Sequence, residues 1–296
     1  MTGPRAWKVA SGMSSVILFA VVALVALAGG ALWYGAYRWD GVTRELRARL
    51  AAARAPIPTE VVDFAELDGL PAAVQRYFRA VLVEGQPMVA GVHVRHVGTF
   101  NMGDTSDRWK PFQSDQAVVT RRPGFDWNGR ISMMPGLVVR VHDAYVAGEG
   151  VLHASLLGLV PVADVRGPGD VARDELMRFV AEAAWYPTAL LPSQGVRWER
   201  VDDRSARAVL TDGALSTTLV FTFTERGVID TVSAEARGRM VAGTLVPTPW
   251  RGRFWNYAER GGMHVPLDGE VAWLLADGEK PYWRGRITDI AYEFAR

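Results

Sequence analysis

The sequence predicts an α+β protein: an N-terminal transmembrane helix, then a strongly curved antiparallel sheet, an open or half barrel, with a helix packed across its concave face. Three observations lead there. Residues 16–37 carry no charged side chain. Beyond Pro87 the apolar pattern changes to a period of two. A single helical stretch, Asp170 to Tyr186, interrupts these strand signals with no βαβ alternation, which argues for hairpin-joined strands.

The apolar run from Val16 to Tyr37 is rich in Val, Leu and Ala, and a bilayer-spanning helix needs about 20 such residues. Trp33, Tyr34, Tyr37 and Trp39 gather at its end, where amphipathic rings favour the headgroup region. A cleaved signal peptide is the competing reading, with Val16–Leu27 as its apolar core and Ala26-Leu27-Ala28 as the small-residue site. Apolar character that continues through Leu32 into the aromatic belt favours an uncleaved anchor. A soluble core helix would need a polar face, and the run has none. The expected organisation is an N-terminal tail (1–12), the anchor (13–38), a helical stalk and linker (39–69) and one α+β domain (70–296). Arg5 and Lys8 precede the span, whereas Arg38, Arg44, Arg47, Arg49 and Arg54 follow it. Counting Lys and Arg alone places the body in the cytoplasm. The resemblance given below points the other way, to a single-pass protein with an extracytoplasmic body.

Asp40 to Ala55 is rich in Arg and Ala and reads as a helix ended by Pro56 and Pro58. Its arginines face either anionic headgroups or solvent. A second helix is expected from Pro71 to Glu84, with Val74, Tyr77, Phe78, Val81 and Leu82 on one stripe and Gly85 as the stop. Strands are expected at 92–101, 116–121, 125–133, 137–147, 196–201, 206–211, 216–224, 228–240, 252–259, 270–275 and 284–294. Thr224-Glu225-Arg226-Gly227 and Asp212-Gly213 are the hairpin signals. In Val228–Met240, Glu235, Arg237 and Arg239 fall on the wet face and Met240 opposes them. The inserted helix presents Leu176, Phe179, Val180 and Ala183, and Pro187 ends it. Trp250-Arg251-Gly252-Arg253 is echoed by Trp283-Arg284-Gly285-Arg286, read as a shared strand-entry geometry.

Composition narrows the function classes. With 33 basic and 32 acidic side chains, the net charge of +1 gives no electrostatic case for a nucleic-acid partner. The chain has no cysteine, which excludes disulfides, thiolate metal sites and thiol catalysis. There is no Gly-x-Ser-x-Gly elbow, no phosphate loop, no Gly-x-Gly-x-x-Gly and no His-Glu-x-x-His. His93 and His96, three apart on a strand, face opposite sides, and His142 and Asp143 diverge likewise. His153 and Ser155 share a face without a recognisable acid or oxyanion signal. His264 reads as a surface residue. The turn Asp104-Thr105-Ser106-Asp107 offers hard-cation ligands, yet turns favour these residues for backbone reasons alone. No metal and no cofactor are expected.

Two features remain as a candidate site. Glu182 lies among Ala181, Ala183, Ala184 and Trp185; buried, it would have a raised pKa and act as acid, base or headgroup anchor. On an exposed face it would merely pair with Arg178 one turn away. The aromatic residues, Trp127, Tyr145, Trp185 and Trp255 among them, would line an apolar cavity if the sheet turned them inward, and core packing accounts for them equally. The predicted ligand-binding set is therefore Trp127, Tyr145, Glu182, Trp185 and Trp255.

A series of short motifs carries a resemblance. Leu70-Pro71, Arg76-Tyr77, Trp109-Lys110-Pro111-Phe112, Gly124-Phe125-Asp126-Trp127, Asp143-Ala144-Tyr145 and Gly148-Glu149-Gly150 come first. Glu182-Ala183-Ala184-Trp185-Tyr186-Pro187, Trp255-Asn256-Tyr257 and Tyr282-Trp283-Arg284-Gly285 complete it. In this order they resemble an uncharacterised bacterial family of membrane-anchored proteins of unknown function, over most of Leu70–Phe294. In architecture the expected curved sheet with a helix across it is similar to the envelope lipoprotein-carrier fold, which shelters acyl chains. The chain departs from those carriers in lacking a lipobox cysteine and in carrying a spanning anchor. The family carries no established activity; the leading reading, from the anchor and the expected aromatic-lined half barrel, is a membrane-tethered, non-enzymatic module that binds a lipid or other apolar ligand beneath the helix, with the bilayer as one partner. Two rivals stand beside it: an envelope hydrolase using Glu182 with Asp126, Asp143 or Arg140, and a scaffold for an envelope protein partner.

Overall fold

A computed structural model describes residues 6–103, 106–241 and 243–295, with side chains from residue 16 onward. Asp104 and Thr105 of the acidic turn, and the start of the tail, lie outside the described residues.

Anchor and stalk form one continuous helix, α1 (Ala6–Ala52), because neither a proline nor a cap interrupts the sequence between them. From Val16 to Tyr34 its side chains are exposed, and this stretch is long and apolar enough to cross a membrane. Beyond Tyr34 it docks on the body. Trp39, Leu46 and Leu50 are buried, the two leucines against Val119, Ala144, Val146 and Val151. The stalk arginines accordingly meet acids of the sheet: Arg47 reaches Asp115 and Asp126, and Arg49 reaches Glu149.

Two antiparallel meanders build the body. The first runs β1 (Val89–Asn101), β2 (Trp109–Val119), β3 (Gly124–Met134), β4 (Leu137–Val146), β5 (Glu149–Leu156) and β6 (Val160–Gly167). The second runs β7 (Arg197–Arg200), β8 (Ser205–Asp212), β9 (Leu215–Phe223), β10 (Ile229–Val241), β11 (Thr244–Arg260), β12 (Met263–Leu275) and β13 (Gly278–Phe294). They join through β1 and β13 in a single 13-stranded sheet whose edges, β6 and β7, do not pair. Between the meanders the chain forms α3 (Asp170–Glu182) and three short 3₁₀ turns.

The helix fixes the curvature. α3 touches both β5 and β9, which stand nine strand spacings apart in the sheet order. On a flat sheet that is about 43 Å, several times the diameter of a helix. The sheet therefore curls around α3, which lies across the concave face, while α1 lies against the convex one. A further helix, α2 (Ala72–Val81), seals one end of the trough. It buries the expected stripe, with Tyr77 against Phe223 and Phe78 against Trp198.

Three expectations need correction. Strands β5 and β6 were not foreseen as a pair; β6 is an edge strand with Pro161 in it, and proline belongs on edges. The Trp-Arg-Gly-Arg echoes do not open strands, since β11 begins at Thr244 and β13 at Gly278. In β10 a register shift between Ala234 and Arg237 inverts the side-chain phase. Arg237 is thereby turned inward, and Met240 is left 39% exposed.

Candidate functional site

Strand alternation in β3 and β4 decides what enters the trough. Trp127 and Asp143 are register partners on the concave face, whereas Asn128 and His142 are partners on the convex one. Gln116 of β2 stands beside Trp127, and Leu152 of β5 beside Asp143. Across them α3 lays a stripe with spacings of three and four, Glu175, Arg178 and Glu182, which shares one helix face.

Trp127, Asp143, Leu152, Glu175, Arg178 and Glu182 border a cavity of about 420 Å³ between α3 and the sheet. Ile131, Val139, Val141, Leu152, Phe254 and Val271 supply apolar wall, and Trp127, Trp185, Trp250 and Trp283 supply broad aromatic surface. The space owes its existence to glycines. A Cβ on Gly129 would lie 2.2 Å from the Trp127 ring, one on Gly285 2.2 Å from the Trp283 ring, and one on Gly252 3.2 Å from the Trp250 ring. In each Trp-x-Gly the indole folds flat along its own strand instead of filling the trough. Trp127-Asn128-Gly129-Arg130 is thus a third copy of the echoed motif.

At the polar side of the cavity Arg178 is the hub. Its Nε donates to Glu182 Oε1 at 2.6 Å, its Nη1 pairs with Asp143, and its plane stacks over Phe125 and Trp127 at 5.0 and 5.2 Å. Gln116 Nε2 donates to the other Glu182 oxygen at 2.6 Å. Burial alone would lower the Arg178 pKa, but Glu182, Asp143 and Glu175 outweigh it and hold the guanidinium charged. Glu175 is different. It is 5% exposed, and burial, reinforced by Asp143, pushes its carboxyl well above the usual range. Its Oε2 has no hydrogen-bond partner, and neither do Trp127 Nε1, Trp185 Nε1 and Gln116 Oε1. His96 lies 4.8 Å from the Trp185 ring and 5.9 Å from that of Trp283. Burial, then Arg178, lowers its pKa to about 3, so the ring is neutral.

Of the five residues predicted as a site, Trp127, Glu182 and Trp185 border the cavity. Tyr145 is buried elsewhere, its hydroxyl donating to Asp212 at 2.6 Å, and Trp255 is 45% exposed on the outer side of β11. Of the proposed partners of Glu182, Asp143 shares the cavity. Asp126 and Arg140 alternate onto the other face. Glu175 and Arg237 were missed. The i, i+3, i+7 spacing of Glu175, Arg178 and Glu182 was the available signal for the first; nothing in the sequence announced the bulge that turns the second.

A second polar cluster lies under α1. His142 Nδ1 and Asp126 Oδ1 are 2.6 Å apart, His142 Nε2 and Thr43 Oγ1 3.0 Å, and Arg47 Nε donates to Asp126 Oδ2 at 3.0 Å. Acid, imidazole and hydroxyl in series is the order of an acyl-transfer triad. Here, however, Asp126 and His142 are fully buried, the Trp39 ring stacks on the imidazole at 4.5 Å, and the Thr43 hydroxyl donates to the Trp39 carbonyl. The cluster fastens α1. Among the described residues no group of three acids or histidines is placed to hold a metal ion.

A curved, open antiparallel sheet with one helix in its trough and a cavity beside that helix defines the class of molecule. The chain belongs to DUF6920, a family of unknown function, whose model matches residues 68–292. No curated protein matches it. Among solved structures it is similar to a LolA superfamily protein from Nitrosomonas europaea, at 11% identity and a TM-score of 0.33, covering 75% of this chain and 92% of that one. It is also similar to a beta-barrel-like protein of the domain of unknown function DUF1849 from Brucella abortus. There the identity is 10% and the TM-score 0.20, covering 70% of this chain and 99% of that one.

Proposed function

We propose that the protein is a membrane-tethered, non-enzymatic module that holds a lipid or other apolar ligand in the trough beside α3. The cavity carries this reading. At about 420 Å³ it falls within the range of small-molecule sites, about 300–1,000 Å³, and an empty apolar space of that size costs stability in proportion to its volume. The ligand-facing residues proposed are Trp127, Glu182 and Trp185 from the sequence, joined by Glu175 and Arg237. In this reading α1 is a retained single-pass anchor and the body lies outside the cytoplasm, although the Lys and Arg count around the span favours the opposite side.

One observation favours a second reading, catalysis. A carboxyl with a raised pKa in a cleft, Glu175, is a general-acid candidate. Glu182 and Asp143 are less suited to the role, since Arg178 holds both.

The test is to purify the full chain from native membranes in a mild detergent, extract it with organic solvent and identify retained molecules by mass spectrometry. The expected result is a lipid-class molecule approaching one per chain. Extracts that match a detergent-only control, from a folded protein, would overturn the proposal.

A further inference from the structure

The geometry points to a ligand with an anionic head, a carboxylate or phosphate, held by Arg237. This inference rests on the cavity reading and names the ligand class. Arg237 borders the cavity with its side chain 11% exposed. It stacks over Trp250 at 5.4 Å, and its closest acid, Glu175 Oε1, is 3.9 Å away. Among the described residues its guanidinium makes no hydrogen bond, while Arg178 next to it has a carboxylate on each side. A buried guanidinium with five N–H groups and no acceptor is costly unless something supplies one. At 3.9 Å Glu175 lies beyond hydrogen-bond reach of the guanidinium, and burial, reinforced by Asp143, pushes its carboxyl up, so the acceptor that Arg237 lacks has to come from elsewhere. Tyr282 and Asp143 also face Arg237 electrostatically, Asp174 takes the Gly238 N–H at its flank, and Lys280 and Arg253 border the same cavity. Anion next to Arg237 and chain along the aromatic floor is the arrangement that satisfies both halves of the site.

The probe is a fluorescent long-chain fatty acid, compared with the alcohol of equal length, on the full chain in a maltoside detergent. Wild type binds the acid at least tenfold more tightly than the alcohol, and Arg237→Gln abolishes that preference while the alcohol still binds. Arg54→Gln, which breaks an exposed ion pair outside the cavity, retains it, and circular dichroism of Arg237→Gln matching wild type controls for damage to the fold. Inorganic phosphate at millimolar concentration leaves acid binding intact if the site reads an amphiphile; displacement by phosphate would overturn the amphiphile. Equal binding of acid and alcohol by wild type and Arg237→Gln would overturn the head-group assignment and leave the cavity reading standing. Binding of neither probe would overturn the cavity reading itself.

An independent observation, the distribution of exposed apolar residues, assigns the trough a membrane-facing end; this, too, rests on α1 being an anchor. In an antiparallel meander alternate turns lie at one end. The β1–β2, β3–β4 and β5–β6 turns therefore share an end, and the pairing of Phe100 with Trp283 brings the β12–β13 and β10–β11 turns to it. There Met134, Val160, Val162, Met240, Val241 and Val246 are 61, 58, 64, 39, 39 and 41% exposed. Val162 and Met240 also border the cavity. The exposed apolar stretch of α1 departs from this same end: a Cβ on Gly35 would lie 2.4 Å from the carbonyl oxygen of Leu157 in the β5–β6 turn. The occupant of this apolar rim is the bilayer that α1 enters, so a ligand passes between membrane and cavity without crossing water. Because the chain has no cysteine, single labels are simple to place. Bimane on Val160→Cys, Val241→Cys and, in the exposed turn at the opposite end, Glu225→Cys is read in phosphatidylcholine vesicles with brominated acyl chains. Quenching at 160 and 241 at least twofold above that at 225 is expected. Equal quenching at all three would overturn the docked rim.

Discussion

The two faces of β3 and β4 carry nearly the same chemistry and use it differently. Asp126 and His142 point outward under α1; Trp127 and Asp143, one residue along on each strand, point into the trough. On the convex side the imidazole has a partner at each nitrogen, Arg47 closes the acid, and Trp39 covers the group. On the concave side buried polar atoms of Glu175, Trp127 and Trp185 are left without partners next to open space, and Gln116 Oε1 behind them is unpartnered as well. A satisfied buried cluster rigidifies a junction, whereas a partly satisfied one is a liability that persists where a ligand completes it. This contrast separates a fastening from the proposed binding site.

The largest effect expected on the comparison comes from removing its hub. Arg178→Leu strands Asp143 and Glu182 in a buried setting, and losing one partner of a buried ion pair costs about 3–5 kcal/mol. Thermal unfolding should show the drop, together with loss of ligand. On the opposite face, His142→Ala should cost about 1–3 kcal/mol, the range for a broken buried hydrogen-bond pair, and leave ligand retention unchanged. Loss of ligand from the His142 variant would dissolve the distinction between the faces.

The acid range sharpens the comparison further. Glu175 has a folded pKa above its unfolded value of 4.5, so the folded state binds the extra proton. Its contribution is present below pH 4.5 and is lost as pH rises toward the folded value. Glu175→Gln should therefore gain stability over wild type progressively above pH 4.5. His96 runs the other way: its folded pKa near 3 lies below the ordinary 6.5, so stability falls as pH drops from 6.5 toward 3. His96→Gln should flatten that limb. An Arg54→Gln change, which breaks the exposed pair with Glu293, should alter stability by less than about 1 kcal/mol.

How much of this was legible follows from the periods. The stripe Leu176, Phe179, Val180 and Ala183 marked α3, and Thr224-Glu225-Arg226-Gly227 marked the β9–β10 hairpin, because each feature is local. The apolar N-terminal helix was legible for the same reason. Glu182 and Trp185 could be picked out from the sequence because Glu182 ends α3 and Trp185 lies in the turn directly after it. Arg237 was lost because one bulge inverts the phase of a strand, and a bulge leaves little trace in sequence. Tyr145 and Trp255 were misplaced relative to the cavity for a related reason. Which face of a curved sheet is concave depends on where α3 and α1 pack, a long-range outcome that alternation alone does not encode.

The central claim is that the concave cavity, and not the convex cluster, holds the ligand. The most direct test compares Val141→Trp, which adds bulk at a cavity-lining position, with Thr43→Val, which removes the hydroxyl beneath α1. Both are purified as the full chain, checked by circular dichroism and extracted for lipid. The account predicts that Val141→Trp folds but loses the retained lipid, and that Thr43→Val keeps it at the wild-type ratio. Equal retention by two folded variants would contradict it.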